Sequence, residues 1–542
     1  MTGGWMQHLV VLPIVLPLVA SAVMLLLHDR RLRLRSSLGL ATTALLVLIA
    51  SVLFYQTLAG GPLQPWVGTY RLGDWAAPFG IVLVVDRLSA LMLLLTSVLG
   101  FTSLLYALAR WDRSGPRFHA LFLLLLMGLN GAFLTGDLFN LFVFFEVFLA
   151  ASYGLVLHGS GQPRVSAGLH YIAINVATSL LFLIGVSLLY GVTGTLNMAD
   201  LAMRIPNVPP EDVMLLEAGA AILGIAFLVK AGMWPLGLWL PRTYAAAAPP
   251  IAAMFAMLSK VGVYIILRLS MLLFGDQAGL AASFANDWLL IGGMATIAFG
   301  AVGILSASTL TGLVGHYVLV SSGTLLAAIG TGSHRVLAGA LFYLVSSTLA
   351  IAAFYLIVEL VERGSVEEGE GSTSEPVFED EYLGALAEEE DNEIGVVIPA
   401  TLAIIGGGFA FCALLLSGLP PLSGFIAKFA MIDGILAERA TMETSSWWFI
   451  GLILASGLAA LIACVRAGID LIWTPDETQT PALGVLEAVP IAILLSACLA
   501  LMIWAGPAMT FMEDTVRDLS DRAVYSDSVL APIGKSVGEV AP

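Results

Sequence analysis

Five ionisable side chains lie well inside long apolar segments of this sequence: Glu146, Lys230, Lys260, His316 and Lys428. An ionisable residue at such a position costs at least about 2.5–3.5 kcal/mol when it enters a membrane. Acids, lysines and histidines at this depth are typical of the proton relays of pumps and transporters. These five residues are therefore the candidate relay.

Glu146 and Lys230 are predicted to form a switchable pair in this relay. Lys230 precedes Pro235 by just over one helical turn. A carboxylate beside a buried lysine stabilises its charged form, so opening the pair would push a proton onwards. The alternative is a static buried ion pair that only fixes the fold.

Two of the polar residues, Asp137 and His316, have two interpretations each. Asp137 is either an accessory of the relay or the N-cap of the helix that follows the turn TGD. His316, beside Tyr317, is either a relay member or a hydrogen-bonded packing residue. Arg268 lies nearer a helix end than Lys260, and we expect its long side chain to reach the membrane surface.

The composition requires a membrane protein. Of 542 residues, 59% are hydrophobic and only 11% are charged, whereas a soluble domain is about 25% charged. The sequence contains no Walker A loop, HExxH, CxxC or dinucleotide fingerprint, so we expect no metal site, no cofactor and no enzyme activity on this chain. The cysteines are predicted to be small buried hydrophobes: Cys412, Cys464 and Cys498.

Apolar segments long enough to cross a bilayer recur along almost the whole chain. The fold class is therefore an all-α polytopic membrane protein with about fourteen transmembrane helices. The predicted spans are 8–28, 37–58, 82–108, 118–134, 137–157, 166–190, 215–240, 250–273, 285–304, 306–329, 336–360, 395–435, 446–469 and 484–508.

Two of these spans are interrupted by prolines, the seventh near Pro235 and the twelfth near Pro420 and Pro421. Proline removes a backbone donor and clashes with the preceding turn. Interrupted helices at corresponding places indicate a transporter built from inverted repeats. The predicted organisation is an N-terminal group of three helices, two five-helix repeats, and a last helix with a polar tail: 1–117, 118–273, 285–469 and 484–542.

Charge asymmetry predicts the orientation. Arginines cluster after the first and third spans, which places those ends in the cytoplasm and the N-terminus outside. The connector 362–393 on the cytoplasmic side holds 13 acids and the single base Arg363. Such a composition is typical of a solvated, disordered connector, with a docking segment as the alternative.

Four stretches together resemble a known family. They are GDLFNLFVFFEVFLAASYGLVLHG, VKAGMWPLGLWLPRTYAAAAPP, LSKVGVYIILRL and SGLPPLSGFIAKFAM. They are similar to the D subunits of Mrp-type multisubunit Na⁺/H⁺ antiporters, which are related to the antiporter-like membrane subunits of respiratory complex I. The resemblance covers roughly residues 8–508 and implies fourteen helices with two inverted five-helix repeats.

The resemblance also implies roles for the buried charges. Glu146 matches the glutamate of the family's helix five, and Lys230 matches its lysine partner on the broken helix seven. Lys260 matches the connecting lysine on helix eight, and Lys428 the terminal lysine on helix twelve. A lysine at that last position favours the antiporter subunit over its complex I homologue, where a glutamate is usual.

One departure concerns helix eleven, where related subunits often carry His or Lys. This sequence has Ser346, Ser347 and Thr348 instead, and hydroxyls hold no charge near neutral pH. The middle of the relay is then expected to depend on His316 and water.

The predicted function is the proton-translocating subunit of a multisubunit Na⁺/H⁺ antiporter in the bacterial cytoplasmic membrane. Its expected partners are the other subunits of that complex and membrane lipid, with Na⁺ and H⁺ as the transported ions and no nucleic acid. Two alternatives stay open. One is a proton-pumping membrane subunit of complex I or of a membrane-bound hydrogenase, and the other is a non-transporting scaffold.

Overall fold

The structure is a computed structural model of the chain. It describes residues 5–27, 31–59, 65–115, 117–363, 399–437, 443–473 and 483–531. The acidic connector 362–393 lies outside the described residues except for its first two, Glu362 and Arg363.

The described part of the chain is almost entirely helical, which confirms the predicted fold class. Eleven described helices are long and apolar enough to cross a membrane, and three shorter apolar helices accompany them. In chain order the helices are α1 (Trp5–Leu9), α2 (Leu12–Leu26), α3 (Leu32–Ala59), α4 (Arg87–Ala107), α5 (Phe118–Leu134), α6 (Leu138–Val156), α7 (Gln162–Thr193), α8 (Met198–Arg204), α9 (Pro210–Ala231), α10 (Leu240–Ala246), α11 (Pro249–Phe274), α12 (Asn286–Ser306), α13 (Leu310–Gly330), α14 (His334–Arg363), α15 (Pro399–Ser417), α16 (Ser423–Ala437), α17 (Thr444–Trp473), α18 (Val485–Ile503), α19 (Ala505–Ser520) and α20 (Arg522–Leu530).

Both predicted interruptions are present. Pro235 lies between the end of α9 and the start of α10, and Pro420–Pro421 lies between α15 and α16. The helix before each interruption is followed by a glycine in the left-handed region, Gly232 and Gly418, both at φ 78°. Glycine adopts this conformation without steric cost, so it ends the helix and frees the last carbonyls. The division into two inverted repeats and the total of fourteen spans stay predictions.

Two helices form the centre of the bundle. The most apolar 18-residue stretch of α11 is entirely buried within the chain, and so is that of α14. α11 packs directly on α9, because a Cβ at Gly262 would lie 2.7 Å from the amide nitrogen of Ala231. The helix that ends just after Lys230 therefore touches the helix that carries Lys260.

A short β-hairpin precedes α4. Strands Gly68–Arg71 and Val82–Val85 pair antiparallel, so the prediction of a helix from residue 82 was wrong. The sequence VLVV is β-branched and favours a strand. Helix α4 begins only after Asp86, whose side chain accepts a hydrogen bond from the Ser89 amide at 2.9 Å.

The polar tail folds into two helices, α19 and α20, which pack against the end of the bundle where the hairpin lies. The buried residues of α19 recur every three or four positions, so one side of this helix faces the protein: Phe511, Met512, Thr515, Val516 and Leu519. Its Asp518 lies 2.9 Å from the guanidinium of Arg87 on α4.

Candidate functional site

Glu146 lies on α6, a helix that Asp137 caps. The Asp137 carboxylate accepts a hydrogen bond from the amide of Asn140 at 2.9 Å, which is the capping interpretation of this residue. Glu146 is half-buried and accepts a hydrogen bond from the hydroxyl of Ser179 on α7. The hydrogen-bond partner of this carboxylate is thus a neutral hydroxyl.

Lys230 lies in the last turn of α9, with 7% of its surface exposed. Its ammonium donates to the side-chain oxygen of Asn175, which lies one turn before Ser179 on α7. The charge of Glu146 acts on Lys230, but among the described residues the two side chains form no direct salt bridge. Helix α7 lies between them. The Asn175 side-chain amide contacts Lys230, and the Ser179 hydroxyl contacts Glu146.

Lys260 is completely buried on α11. Its Nζ lies 3.3 Å from the hydroxyl of Ser322 on α13. The adjacent Ser321 is hydrogen-bonded to Ser347 on α14 at 2.9 Å. Hydroxyls both donate and accept hydrogen bonds, so polar contacts lie on both sides of α13, one towards α11 and one towards α14.

A further hydrogen bond joins α14 to the second interruption. Ser346 is hydrogen-bonded to Ser423, the first residue of α16, at 2.8 Å. Lys428, just over one turn further along α16, donates to the carbonyls of Leu416 at 3.3 Å and Ser417 at 3.0 Å. We call the hydroxyls of Ser322, Ser321, Ser347, Ser346 and Ser423 the serine row.

The free carbonyls at the end of α15 explain the position of Lys428. A helix C-terminus carries partial negative charge, which stabilises an ammonium group. Gly418 is required at this point, because an added Cβ would lie 2.8 Å from the Cδ of Lys428. The interruption is therefore a binding site for the lysine side chain.

Thr348, His316 and Tyr317 lie outside the serine row. Thr348 bonds a carbonyl of its own helix. The half-buried His316 bonds the Gly312 carbonyl at 2.9 Å, and its ring packs against α12 at Gly303. Tyr317 donates to the Ala460 carbonyl at 3.1 Å. The contacts of His316 match the packing interpretation, and among the described residues none of them links it to Lys260 or Lys428.

The comparisons with known proteins agree with the resemblance found in the sequence. The family model described as "NADH:quinone oxidoreductase/Mrp antiporter, TM" matches residues 135–459. The D subunit of a probable K⁺/H⁺ antiporter of Rhizobium meliloti is 54% identical over 97% of this chain and 98% of the relative. The chain belongs to the Mrp antiporter D-subunit family.

Two further relatives add detail. The D subunit of a Na⁺/H⁺ antiporter of Alkalihalophilus pseudofirmus is 32% identical over 97% of the chain and 100% of the relative. A chain in the structure of the Mrp complex from a Dietzia species superposes with a TM-score of 0.80 at 24% identity, covering 98% of this chain and all of that one. The superposition shows the shared fold, and the names of the sequence relatives indicate part of a transporter.

One buried ion pair of this D-type chain was missed in the sequence. Arg268 was expected to reach the membrane surface, and that prediction was wrong. Its guanidinium is 4% exposed and binds both carboxylate oxygens of Asp86, one of them at 2.8 Å. Tyr264 accepts a further hydrogen bond at 3.1 Å. An arginine without a nearby acid in sequence, on a predominantly apolar helix, was the available signal.

A second buried cluster was also missed, at the arginine-rich end of the bundle. The carboxylate of Glu359, on α14, accepts hydrogen bonds from Tyr106 and, at 3.0 Å, from Trp111. Arg363 bridges Glu359 and Glu487 with two contacts of 2.8 Å. This cluster ties α4, α14 and α18 together around one arginine and two carboxylates.

The cysteine prediction is confirmed, since Cys412, Cys464 and Cys498 are buried free thiols. Among the described residues, no group of three or more His, Cys, Asp or Glu side chains is placed to hold a metal ion.

Proposed function

We propose that this chain is the proton-translocating subunit of a monovalent cation/proton antiporter complex in the bacterial cytoplasmic membrane. The observation that carries the proposal is a set of three buried hydrogen bonds between Lys260 and the second interruption. They are Lys260–Ser322, Ser321–Ser347 and Ser346–Ser423. Apolar side chains could pack these helices together without any buried hydroxyls. The hydroxyls do offer successive donors and acceptors to a moving proton.

The first part of the path runs from Glu146 to Lys230. Ser179 and Asn175 hold the two charges apart in this conformation. Rotation of either side chain away from α7 would bring the carboxylate and the ammonium together, and the paired lysine would then keep its proton more tightly. Breaking the pair releases that proton towards Lys260.

The second part runs from Lys260 to Lys428. We propose that the serine row replaces the charged residue that related subunits often carry on helix eleven. Water is needed between Lys230 and Lys260, where contact is made by the backbones of α9 and α11. His316 was predicted as a relay member from sequence but is not part of this path. Substitution of His316 is therefore a control for substitutions in the serine row.

The exchanged cation was predicted to be sodium. The relative that is 54% identical is named as part of a K⁺/H⁺ antiporter, whereas the relative that is 32% identical is named as part of a Na⁺/H⁺ antiporter. The higher identity supports potassium, so both ions belong in the test.

The test uses Glu146→Gln in membrane vesicles that hold the assembled complex. We expect cation-driven proton movement to fall about tenfold or more, because glutamine cannot change charge and a factor of ten is about 1.4 kcal/mol of barrier. The control is Glu211→Gln, which changes an exposed acid at the start of α9. Each vesicle preparation is challenged with K⁺ and with Na⁺.

Three results would contradict parts of the proposal. Normal exchange in Glu146→Gln with normal assembly removes Glu146 from the relay. Loss of the partner subunits on purification supports the scaffold interpretation. Iron–sulfur subunits in the purified complex support the complex I or hydrogenase alternative.

A further inference from the structure

A cavity of about 150 Å³ opens at the arginine-rich end of the bundle, and no residue of the serine row lines it. It lies between α2, α3 and the N-terminus of α5. Its lining residues include the cationic Arg35 and Arg117, the acidic Asp112 and the apolar Leu25 and Leu32. The positive-inside rule assigns this end to the cytoplasm.

The cationic wall suits an anion. Arg35 is 6% exposed, so its charge is held in place beside the cavity. Arg117 is exposed and is the N-cap of α5, with no side-chain hydrogen bond to the free amides of the first turn. An anion at Arg117 would also meet these amides and the positive end of the helix dipole.

The opposite wall needs a hydrogen-bond donor. Oδ2 of Asp112 accepts from the Ser36 hydroxyl at 3.1 Å and lies 3.5 Å from Nε2 of His119. Oδ1 of Asp112 is buried and has no partner among the described residues. A buried carboxylate oxygen without a donor is costly, so a ligand that brings a hydroxyl group gains free energy here.

The remaining wall is apolar and exposed. Leu25 is 51% exposed and Leu32 is 42% exposed, and both line the cavity. They lead from the polar cavity along the outside of α2 and α3. An acyl chain could follow this apolar path, whereas a small inorganic anion gains nothing from it.

We propose that this cavity binds one anionic phospholipid whose headgroup carries a hydroxyl group, of the phosphatidylglycerol class. The phosphodiester lies between Arg35 and Arg117, and a glycerol hydroxyl donates to Oδ1 of Asp112. The acyl chains lie on Leu25 and Leu32.

The test is native mass spectrometry of the purified, assembled complex with two added lipids, phosphatidylglycerol and phosphatidylmethanol. The second lipid keeps the phosphodiester and the acyl chains but lacks the hydroxyl donors. We expect phosphatidylglycerol to bind about tenfold more tightly, since one hydrogen bond to a charged group is worth about 1.5–3 kcal/mol. Inorganic phosphate is added as a competitor and should not displace the lipid.

The variant is Arg117→Gln, and its matched control is Arg113→Gln, an exposed arginine of the same connection that does not line the cavity. Arg117→Gln should lower the affinity for phosphatidylglycerol about tenfold, and Arg113→Gln should leave it unchanged. Equal affinities for Arg117→Gln and the wild type overturn the proposal. So does displacement by inorganic phosphate, which would identify a simple anion site, and equal binding of the two lipids refutes the role of Asp112.

Discussion

The substitution Ser346→Ala cuts the serine row between α14 and α16. Ser346 and Ser423 are both fully buried, and their hydroxyls lie 2.8 Å apart. Removing one hydroxyl leaves its partner unsatisfied, which costs about 1–3 kcal/mol. The vacated space is smaller than the roughly 30 Å³ that a water molecule occupies in the liquid, so water does not restore the link.

If the transfer step carries that whole cost, exchange slows by about 5- to 150-fold at 1.4 kcal/mol per factor of ten. The complex should still assemble, because alanine is a good helix former and the lost contact is one of many on α14. Proton movement in vesicles is measured at equal amounts of purified complex. The expected slowing of exchange therefore follows from the single hydrogen bond between Ser346 and Ser423.

Two controls make the result decisive. Ser456→Ala removes a buried hydroxyl that bonds a carbonyl of its own helix at 2.9 Å, and it should leave exchange unchanged. His316→Gln should also have little effect. If Ser346→Ala exchanges within about twofold of the wild type, proton transfer along the serine row is refuted. If only His316→Gln loses exchange, the proton path runs through His316 instead.

Three further predictions concern stability and attachment. Desolvation raises the pKa of Asp518 to about 6, so this carboxyl binds its proton more tightly in the folded chain. Its contribution to stability is fully present below the unfolded value near 4 and is lost as pH rises towards 6, so hydrogen exchange of α19 should show less protection at pH 7 than at pH 5. Asp518→Asn should remove that difference. Arg268→Met should lower the free energy of unfolding by about 3–5 kcal/mol, because it leaves Asp86 charged, buried and unpaired, and thermal melting of the detergent-solubilised complex checks it. Gly418→Ala should abolish exchange and destabilise the chain by about 1–2 kcal/mol, since its φ is left-handed, whereas Gly406→Ala, with open space around its added methyl group, should be tolerated.

Elements governed by local sequence were predictable. Long apolar segments gave the helices, and the prolines gave both interruptions. Glu146, Lys230, Lys260 and Lys428 were identified because a charge in an apolar segment is visible without any structure.

Contacts between distant segments were not predictable. Asn175 and Ser179 interpose between Glu146 and Lys230, and nothing in α7 indicates which face turns towards them. Ser423 was read only as part of the second interruption. Serines are common in membrane helices. The role of Ser423 depends on its contact with Ser346, which lies 77 residues earlier in the chain.

The burial of the most apolar stretches of α11 and α14 limits how other subunits can act on this chain. Lys260 and the serines of α14 are enclosed by the chain's own outer helices. A neighbouring protein therefore supplies no side chain to this part of the path. A neighbouring subunit can act on this part of the path only by displacing the outer helices. Crosslinking reagents placed on a neighbour should therefore label the outer helices and leave the buried stretches of α11 and α14 unlabelled.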